Sequence, residues 1–363
     1  MPNAAKTPVA DFFLGALSPA GFTGWFAEAA AEAGQTYLIK AGPGCGKSTL
    51  MRRLLEADAA PAGGYNERIH CSSDPASLDG AALRGAGALF LDATAPHTLD
   101  CKYPGAAERV VCLYDTLDNA GLAARRGEVL ALGARNTALL RQAAAHWALA
   151  CGLLASRRAL AALALDTARL DAFARRLANR TMPPRRAACP GKQAHRLLSA
   201  PTPGGLTVFT GTAAVLAPQT LYILQDADGA AAARLLGALA DHAQKNGYDA
   251  VLCHCATEVR GKLDHLFIPA LGLGFVTANA FHPMPLPGRR IRLARFADAE
   301  PLATHRALRT AQKREAAALL QKTCALQTAA KTVHDALETH YIRATDFEKV
   351  NAVRTALAQE LFG

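Results

Sequence analysis

The chain has 363 residues, which is long enough for two domains that each bury a core of their own. Hydrophobic residues make up 51% of the chain and are largely Ala and Leu, which excludes a disordered protein and favours a helix-rich α/β protein. The net charge is +10, but the basic residues are dispersed and no interleaved aromatic or helix-turn-helix pattern accompanies them. A nucleic-acid partner is therefore not expected.

Targeting and membrane segments are not expected either. The longest apolar run, residues 143–155, contains His146 and ends close to Arg157, so it is too short and too interrupted to span a bilayer. Asp11 and Gly15 break the only candidate for the apolar core of a signal peptide. Nine scattered cysteines, an odd number, are typical of reduced thiols. These features predict a cytoplasmic protein without a membrane segment.

The first clear element is an apolar strand from Gln35 to Lys40. It is followed by the segment AGPGCGKST, from Ala41 to Thr49, and then by a helix that continues through LMRRL. This order of strand, glycine-rich loop and helix is that of a P-loop, in which backbone N–H groups and the helix N-terminus surround a phosphate. Ala41 stands where the first glycine of the strict pattern is usually found.

We predict that this loop binds the phosphates of a nucleoside triphosphate, with ATP favoured, together with Mg²⁺. Lys47 should reach the β- and γ-phosphates, and the Ser48 hydroxyl should ligate Mg²⁺. The predicted nucleotide-binding residues are Gly42, Pro43, Gly44, Cys45, Gly46, Lys47, Ser48 and Thr49.

A second apolar strand, residues 88–91, ends at Asp92. We predict that Asp92 holds the Mg²⁺ shell through water, as the acid at the end of this strand does in P-loop enzymes. The alternative is an ordinary Asp that caps a following helix. Ala93 comes next, so the glutamate that many ATPases place there to activate water is missing, and a base has to come from elsewhere.

The candidate bases are Asp74, Asp79 and His97. Asp74 follows a strand that ends near His70, where a kinase-like enzyme would position an acceptor hydroxyl or water, and we include it with Lys47 and Asp92 among the catalytic candidates. The alternative is that Asp74 closes a turn with Pro75.

The chain is also a tandem repeat. The tripeptide at 37–39 matches the one at 221–223, and His70-Cys71 matches His254-Cys255, both at a shift of 184 residues. At a shift of 185 residues the matches are Leu78-Asp79 with Leu263-Asp264, Leu89-Phe90-Leu91 with Gly274-Phe275-Val276, and His97 with His282.

The repeat predicts an α/β fold made of two tandem P-loop NTPase-like domains with parallel sheets, residues 1–190 and 191–363, since strands alternate with helices in each half. Each domain should carry a helical tail, over about residues 137–179 and 300–361. A Pro- and Gly-rich stretch, residues 183–191, separates the halves.

The second half should lack the phosphate-binding motif. In an ungapped alignment Ala230, Ala231 and Ala232 replace Gly46, Lys47 and Ser48, and Thr277 stands opposite Asp92. His70, Cys71 and His97 keep counterparts in that half, which favours structural roles for them. The residues without an identical counterpart, as expected of a functional site that the second copy lost, are Lys47, Ser48, Asp92 and Asp74.

The chain resembles a family of uncharacterised bacterial ATP-binding proteins with tandemly duplicated P-loop domains, through the segments AGPGCGKSTLMRRL, IHCSSDPASLDG, LFLDATAPH and HDALETHYIRATDFEKV. The resemblance covers nearly the whole chain and implies ATP binding. In that family both halves often look competent to bind phosphate, and this sequence departs from the pattern by losing the second site.

Three functions stay open. The first is an Mg²⁺-dependent ATPase or ATP-driven switch that uses only the N-terminal half, and the second is a P-loop kinase for a small molecule, with Asp74 as base. The third is a non-catalytic ATP-sensing scaffold or nucleic-acid partner, and a protein or small-molecule partner is also possible. The chain has no ABC signature and no guanine-reading NKxD motif, which argues against transporter ATPases and GTPases. Arg84 and Arg260 are candidates for a cation that completes the site.

Overall fold

The computed structural model describes residues 7–185 and 189–363, which form a mixed α/β protein with two six-stranded sheets in tandem. The first half contains β1 (Val9–Phe12), β2 (Gly15–Ser18), β3 (Gly21–Gly24), α1 (Phe26–Glu32), β4 (Gln35–Lys40), α2 (Lys47–Ala57), β5 (Asn66–His70), β6 (Leu78–Leu83), β7 (Ala88–Asp92), β8 (Glu108–Cys112), α3 (Asn119–Ala124), α4 (Arg126–Ala162) and α5 (Thr167–Thr181).

The second half contains β9 (Gln193–Leu197), β10 (Ser199–Thr202), β11 (Gly205–Val208), α6 (Thr212–Leu216), β12 (Thr220–Gln225), α7 (Ala230–Lys245), β13 (Ala250–Cys255), β14 (Glu258–Ile268), β15 (Leu273–Ala278), β16 (Arg289–Arg292), α8 (Ala299–Thr304), α9 (Arg306–Ala344) and α10 (Phe347–Phe362). The predicted break at 183–191 lies partly outside the described residues, because 186–188 are not among them.

The two large sheets have the same strand order. It is β1-β5-β6-β7-β4-β8 in the first half and β9-β13-β14-β15-β12-β16 in the second. Neighbouring strands are parallel except at β6 and β14, which run antiparallel to both neighbours. The prediction of fully parallel sheets is therefore wrong for one strand in each half. The connections into β6 and β14 are too short for the crossover helix that a parallel neighbour requires.

Aromatic stacking fixes the equivalence of the central strands. Tyr37 stacks on Phe90 with ring centroids 4.5 Å apart, and Tyr222 stacks on Phe275 at 5.1 Å. Tyr37 is therefore equivalent to Tyr222, a shift of 185 residues, and the sequence alignment of Tyr37 with Leu221 was wrong by one position. In a strand such a slip exchanges the two faces, so only the structural pairing keeps each side chain on its own side of the sheet.

The two longest helices, α4 and α9, form an antiparallel pair. Gln312 Nε2 donates a hydrogen bond to Ser156 Oγ at 2.9 Å near one end, and His340 Nε2 lies 3.7 Å from a Glu128 carboxylate oxygen near the other. Trp147 is buried between the helices at the middle. The pair therefore runs across both halves rather than belonging to either.

The helical tails exchange partners. α10, at the end of the second half, packs on α2, where Val350 and Leu357 join the core of the first sheet. α5, at the end of the first half, packs on α7, where Leu170 and Leu177 join the core of the second sheet. Each of the predicted halves, 1–190 and 191–363, thus contributes its last helix to the other half.

Backbone hydrogen bonds hold both crossings in place. The Asp346 N–H donates to the Thr116 carbonyl at 2.8 Å, and the Asp166 N–H donates to the Phe296 carbonyl at 2.9 Å. The side chains of Asp346 and Asp166 also accept N–H groups from the first turns of α10 and α5, so each aspartate starts its helix as an N-cap.

The inner edges of the two sheets meet at a buried seam. Phe13 and Leu197 exchange backbone hydrogen bonds of 2.9 Å across it. Beside them Arg196 Nε donates to Glu67 Oε2 at 2.8 Å, and both side chains are almost fully buried. The seam therefore combines a backbone bridge with a buried ion pair.

Helix α4 is the one helix in residues 7–185 and 189–363 whose length and composition would allow it to cross a membrane. This length differs from the expectation that the apolar run at 143–155 is too short to span a bilayer. The helix packs along α9, where Trp147 and Ala150 are buried, and 22% of its most apolar stretch is buried inside the protein.

Candidate functional site

The glycine-rich loop, residues 41–46, connects β4, in the first sheet, to the N-terminus of α2. Gly44 and Gly46 have φ values of +69° and +84°, in the left-handed region that glycine adopts without strain. Among the described residues, none accepts a hydrogen bond from the N–H groups of residues 44–49. The loop therefore presents a set of backbone donors next to a helix N-terminus, an arrangement suited to an anion.

The predicted nucleotide-binding residues are all in or beside this loop. The partly exposed ones are Gly42, Pro43, Gly44, Gly46, Lys47 and Ser48, while Cys45 is buried and Thr49 is exposed.

Lys47, the first residue of α2, turns its side chain back onto the loop. Its Nζ donates to the Gly42 carbonyl at 2.6 Å and lies 3.4 Å from Asp92 Oδ2. Both side chains are only 12% exposed, which makes this a largely buried ion pair. The structure thus brings together two of the three predicted catalytic residues.

The two predicted Mg²⁺ ligands come from different elements, Asp92 from β7 and Ser48 from the first turn of α2. Asp92 ends β7 opposite Ile39 of β4, and its Oδ1 accepts the Thr94 N–H at 2.9 Å. No helix starts directly after Asp92 in the described chain, so it is not a helix cap. The Ser48 hydroxyl oxygen accepts the Leu78 N–H at 3.0 Å, which ties the start of α2 to β6.

A β-bulge places a second carboxylate beside Asp92. Ile69 pairs with Gly80 but His70 pairs with Leu78, so Asp79 is an extra residue of β6. Ligand atoms of Asp79, Asp92 and His97 all lie within 4.8 Å of one another.

The electrostatics of Asp79 are unusual. Burial raises the pKa of its carboxyl above the ordinary value, although the nearby His97, whose Nε2 is 3.7 Å from Asp79 Oδ1, opposes the shift. His97 was predicted to be structural, and it does stack on Phe26 with centroids 4.7 Å apart, but it also borders the carboxylates. Asp79 is therefore a better placed base than its sequence context indicated.

Asp74 lies in the turn that was the alternative prediction for it. Its Oδ2 accepts the Ser77 hydroxyl at 3.0 Å, and its carbonyl accepts the Ser77 N–H at 2.8 Å. Lys331 of α9 lies 3.6 Å from the same carboxylate oxygen. The structure does not bring Asp74 into the cluster of Lys47, Asp79 and Asp92.

The C-terminal turns of α9 cover the loop, a feature that sequence reasoning missed. A β-carbon on Gly42 would lie 2.5 Å from Tyr341 Cδ1, and one on Gly44 would lie 2.8 Å from Ile342 Cγ1. Thr345 Oγ1 lies 3.4 Å from Cys45 Sγ. These residues belong to the segment HDALETHYIRATDFEKV near the end of the second half.

The two arginines considered as completing cations lie elsewhere. Arg84 pairs with Glu67 at the seam. Arg260 pairs with Glu28 and lies over the Trp25 ring at 4.1 Å. Lys331, in the second half, contacts Asp74 instead.

The corresponding loop of the second half is shorter. Gly229 has a φ of +76° and directly precedes α7, as Gly46 precedes α2. The loop spans residues 226–229 where the first half has 41–46, so Lys47 corresponds to Ala230. The ungapped alignment, which matched Lys47 to Ala231, is thus corrected by one position, and the loss of Lys and Ser in this half stands.

In the second loop the Asp226 carboxylate accepts hydrogen bonds from the backbone N–H groups of the loop. Its Oδ1 accepts the N–H groups of Asp228 and Gly229 at 3.1 and 3.0 Å, and its Oδ2 accepts the Ala232 N–H at 2.8 Å. Counted from the left-handed glycine, these donors correspond to those of Cys45, Gly46 and Thr49. An internal anion therefore satisfies in the second half the donors that have no protein acceptor in the first.

Comparisons with known proteins add no assignment. No family model, no curated protein and no solved structure matches this chain. The chemistry of the site therefore follows from the geometry of the two loops and the cluster beside Lys47.

Proposed function

We propose that the first half binds ATP with Mg²⁺ at the glycine-rich loop and that the protein is an ATP-driven switch or a slow ATPase. In this proposal the loop N–H groups and Lys47 bind the β- and γ-phosphates, and Ser48 and Asp92 supply oxygen donors for Mg²⁺. The resemblance to duplicated ATP-binding proteins favours the same nucleotide.

The contrast between the two loops carries the proposal. The same set of N–H groups is neutralised by Asp226 in one half and has no acceptor among the described residues in the other. Buried or half-buried N–H groups are nearly always paired, and the N-terminus of a helix favours an anion. A phosphate group in the first loop would supply what the Asp226 carboxylate supplies in the second.

Lys47 and Asp92 favour a metal-bound phosphate over other anions as the ligand of the loop. A lysine that contacts both its own loop and a carboxylate can exchange the Gly42 carbonyl for a phosphate oxygen without moving far. Asp92 and the Ser48 hydroxyl are hard oxygen donors of the kind that Mg²⁺ prefers. A plain carboxylate or sulfate site would not require them.

The groups available as a general base favour slow ATP hydrolysis or switching over transfer of a phosphate to a small molecule. Ala93 is fully buried where other ATPases have glutamate. Asp79, with its raised pKa and its neighbour His97, is the group best placed to accept a proton near Asp92. The kinase alternative relied on Asp74, whose carboxylate is engaged by Ser77 and Lys331.

Helix α9 links the loop to the other half. Its C-terminal residue Ile342 lies on Gly44, and near its N-terminus Arg309 donates to Asp228 of the second loop. A ligand that changes the conformation of the first loop therefore changes the packing of α9, which also contacts the second loop. This coupling favours the ATP-driven switch. A protein or small-molecule partner that binds differently after this change remains a prediction, as does the cytoplasmic location.

The test is ATP binding by titration calorimetry in Mg²⁺, with GTP as competitor, for the wild type and for Lys47→Ala. The exposed Lys313→Ala is the matched control for loss of one positive charge. We expect Lys47→Ala to weaken ATP binding by about 10- to 100-fold, the worth of a charge-assisted hydrogen bond, and Lys313→Ala to bind as the wild type does. Phosphate release measured on the same samples separates the ATPase from the switch.

Thermal melting of each variant without nucleotide shows whether it is folded. If the wild type binds no nucleotide, or if a folded Lys47→Ala variant binds ATP as tightly as the wild type, the proposal is wrong.

A further inference from the structure

Three ionisable side chains meet in the interior of the second half. The ligand atoms of Asp264, His265 and His282 lie within 4.8 Å of one another, and all three residues are buried. We propose that this cluster binds a divalent transition-metal ion, with Zn²⁺ the best match. Two imidazoles and one carboxylate are a common set of zinc ligands.

A β-bulge brings the first two ligands together. Cys253 pairs with His265 and His254 pairs with Leu263, so Asp264 is an extra residue of β14. The bulge breaks the strict alternation of the strand, which would otherwise send neighbouring side chains to opposite faces. His282 comes from the loop after β15, the strand next to β14.

Several buried polar atoms of the cluster have no hydrogen-bond partner in the part of the chain that the structure describes. They are both ring nitrogens of His265 and Oδ2 of Asp264. Each such atom costs about 1–3 kcal/mol when it is left unpaired, so three of them in one place are unusual in a stable core. A metal ion would use the imidazole and carboxylate lone pairs.

Neutral imidazole and ionised carboxylate are the metal-binding forms of these side chains. Burial of both histidines favours the neutral imidazole, and the contact of Asp264 with the Lys262 ammonium favours the ionised carboxylate.

Neighbouring groups orient two of the ligands. Ser199 Oγ lies 2.6 Å from His282 Nε2, a hydrogen bond of the kind that fixes the ring of a metal-bound histidine. Lys262 donates to Oδ1 of Asp264 and leaves Oδ2 without a partner. The ammonium of Lys262 also repels a cation, so its charge should lower the affinity of the site.

The equivalent position in the first half has a different donor set. Asp264 and His282 correspond to Asp79 and His97, but His265 corresponds to Gly80 and Thr277 to Asp92. The first half thus has two carboxylates and one imidazole, which suits Mg²⁺, and the second half has two imidazoles and one carboxylate, which suits Zn²⁺. The second half lost the phosphate loop and gained an imidazole.

A cavity of about 60 Å³ borders the cluster at His282, with Cys255, Lys262 and Asn279 also on its wall. It is large enough for water, so a bound ion could take a water molecule or a small ligand as its remaining partner. The inference does not depend on nucleotide binding by the first half.

The experiment uses the untagged full chain, stripped with EDTA and dialysed, then titrated with Zn²⁺, Co²⁺, Fe²⁺ or Mn²⁺. Thermal melting reports stabilisation, and the visible spectrum of the Co²⁺ form reports the ligands. We expect one Zn²⁺ per chain and a higher Tm with Zn²⁺. His265→Leu should lose more than the ~10–100-fold in Zn²⁺ affinity that removal of an outer hydrogen-bond partner costs.

His265→Leu is chosen because it keeps the volume and removes the unpaired nitrogens, so the metal-free variant should fold at least as well as the wild type. His305→Leu, outside the cluster, is the control for incidental binding by a histidine. Lys262→Met should bind Zn²⁺ more tightly than the wild type because it removes the repelling charge. If none of the four ions raises the Tm of the wild type, or if His265→Leu responds to Zn²⁺ as the wild type does, the proposal is overturned.

Discussion

Ile342 lies on the glycine-rich loop so closely that a β-carbon added to Gly44 would be 2.8 Å from its Cγ1. The two residues are almost 300 positions apart and belong to different halves of the repeat. Their contact means that the loop proposed to bind phosphate is covered by the last turns of a helix whose other end reaches the second loop.

We therefore expect Mg²⁺-ATP to change hydrogen exchange in the last turns of α9, residues 331–344, as well as in the loop itself. Phosphate binding adds acceptors for the loop N–H groups, and any shift of the loop has to move Tyr341 and Ile342 with it. Exchange measured by mass spectrometry, with and without nucleotide, checks this. At an ATP concentration just high enough to saturate the wild type, Lys47→Ala should show a much smaller nucleotide-dependent change. Protection confined to the loop would contradict the coupling of α9 to the site.

A second prediction concerns Asp92. Replacing it by Asn removes one Mg²⁺ donor and one negative charge next to the phosphates. The affinity for ATP in Mg²⁺ should fall by about tenfold, whereas the affinity in EDTA should stay the same or rise, because repulsion of the triphosphate is lost. Titrations with and without Mg²⁺ measure both effects. Asp100→Asn, whose side chain is 94% exposed, is the matched control.

An equal loss with and without Mg²⁺ in the Asp92→Asn variant would mean that the carboxylate supports the fold or Lys47 rather than the metal. The ion pair of 3.4 Å with Lys47 makes that the specific competing explanation.

A third prediction follows from the buried pair at the seam. Burial favours the neutral acid of Glu67, but Arg196 and Arg84 hold its pKa below the usual range, so it is ionised inside the protein. Arg196→Met leaves that charge with a partly exposed partner only, and should cost about 3–5 kcal/mol in the free energy of unfolding. Urea unfolding measures the cost.

The double variant Arg196→Met with Glu67→Met tests the cause of this loss. It should regain a large part of the stability, because replacing both members of a buried pair by apolar residues is far less harmful than replacing one. A double variant as unstable as the single one would indicate that Arg196 acts through packing alone.

The repeat made much of this architecture predictable. The matched strands near residues 38 and 222, and near 90 and 275, all exist and occupy the same places in the two sheets. The glycine-rich loop and the end of β7 at Asp92 lie side by side, because parallel neighbouring strands end at the same edge of a sheet. Short stretches of sequence are enough to predict local features of this kind.

Other features depend on contacts between distant parts of the chain. The exchange of α5 and α10 between the halves leaves no local signal, since an apolar helix face does not specify which sheet it covers. The antiparallel strand β6 and the bulge at Asp79 depend on strand pairing, which periodicity alone does not reveal. The role of Asp226 depends on the three backbone N–H groups that the fold brings to its carboxylate, and its place after a strand does not reveal them.

The last prediction concerns pH and the stack around Trp25. His254 and His195 both stack on the Trp25 ring, and His254 Nε2 lies 2.8 Å from His195 Nδ1. Arg260 lies over the same ring. Burial, together with the neighbouring His195 and Arg260, lowers the pKa of His254 to about 4, against a backbone hydrogen bond to Gly261 and the Asp264 carboxylate, which both raise it.

In the unfolded chain His254 has an ordinary histidine pKa of about 6.5, whereas in the folded protein its pKa is about 4. Between these two pH values the unfolded state therefore binds a proton that the folded state does not bind. The stability that neutral His254 contributes is therefore complete above about pH 6.5, and it is lost progressively as the pH falls toward 4. Between pH 6.5 and about pH 5 the loss should be on the order of 1–2 kcal/mol for this residue.

Urea unfolding at about pH 7 and about pH 5 measures this loss in the wild type and in His254→Gln, which keeps a polar group but cannot take up a proton. The glutamine variant should lose less stability between the two pH values than the wild type does. The partly exposed His305→Gln serves as control and should follow the wild type, and an equal acid sensitivity of the wild type and His254→Gln would show that other groups cause the loss.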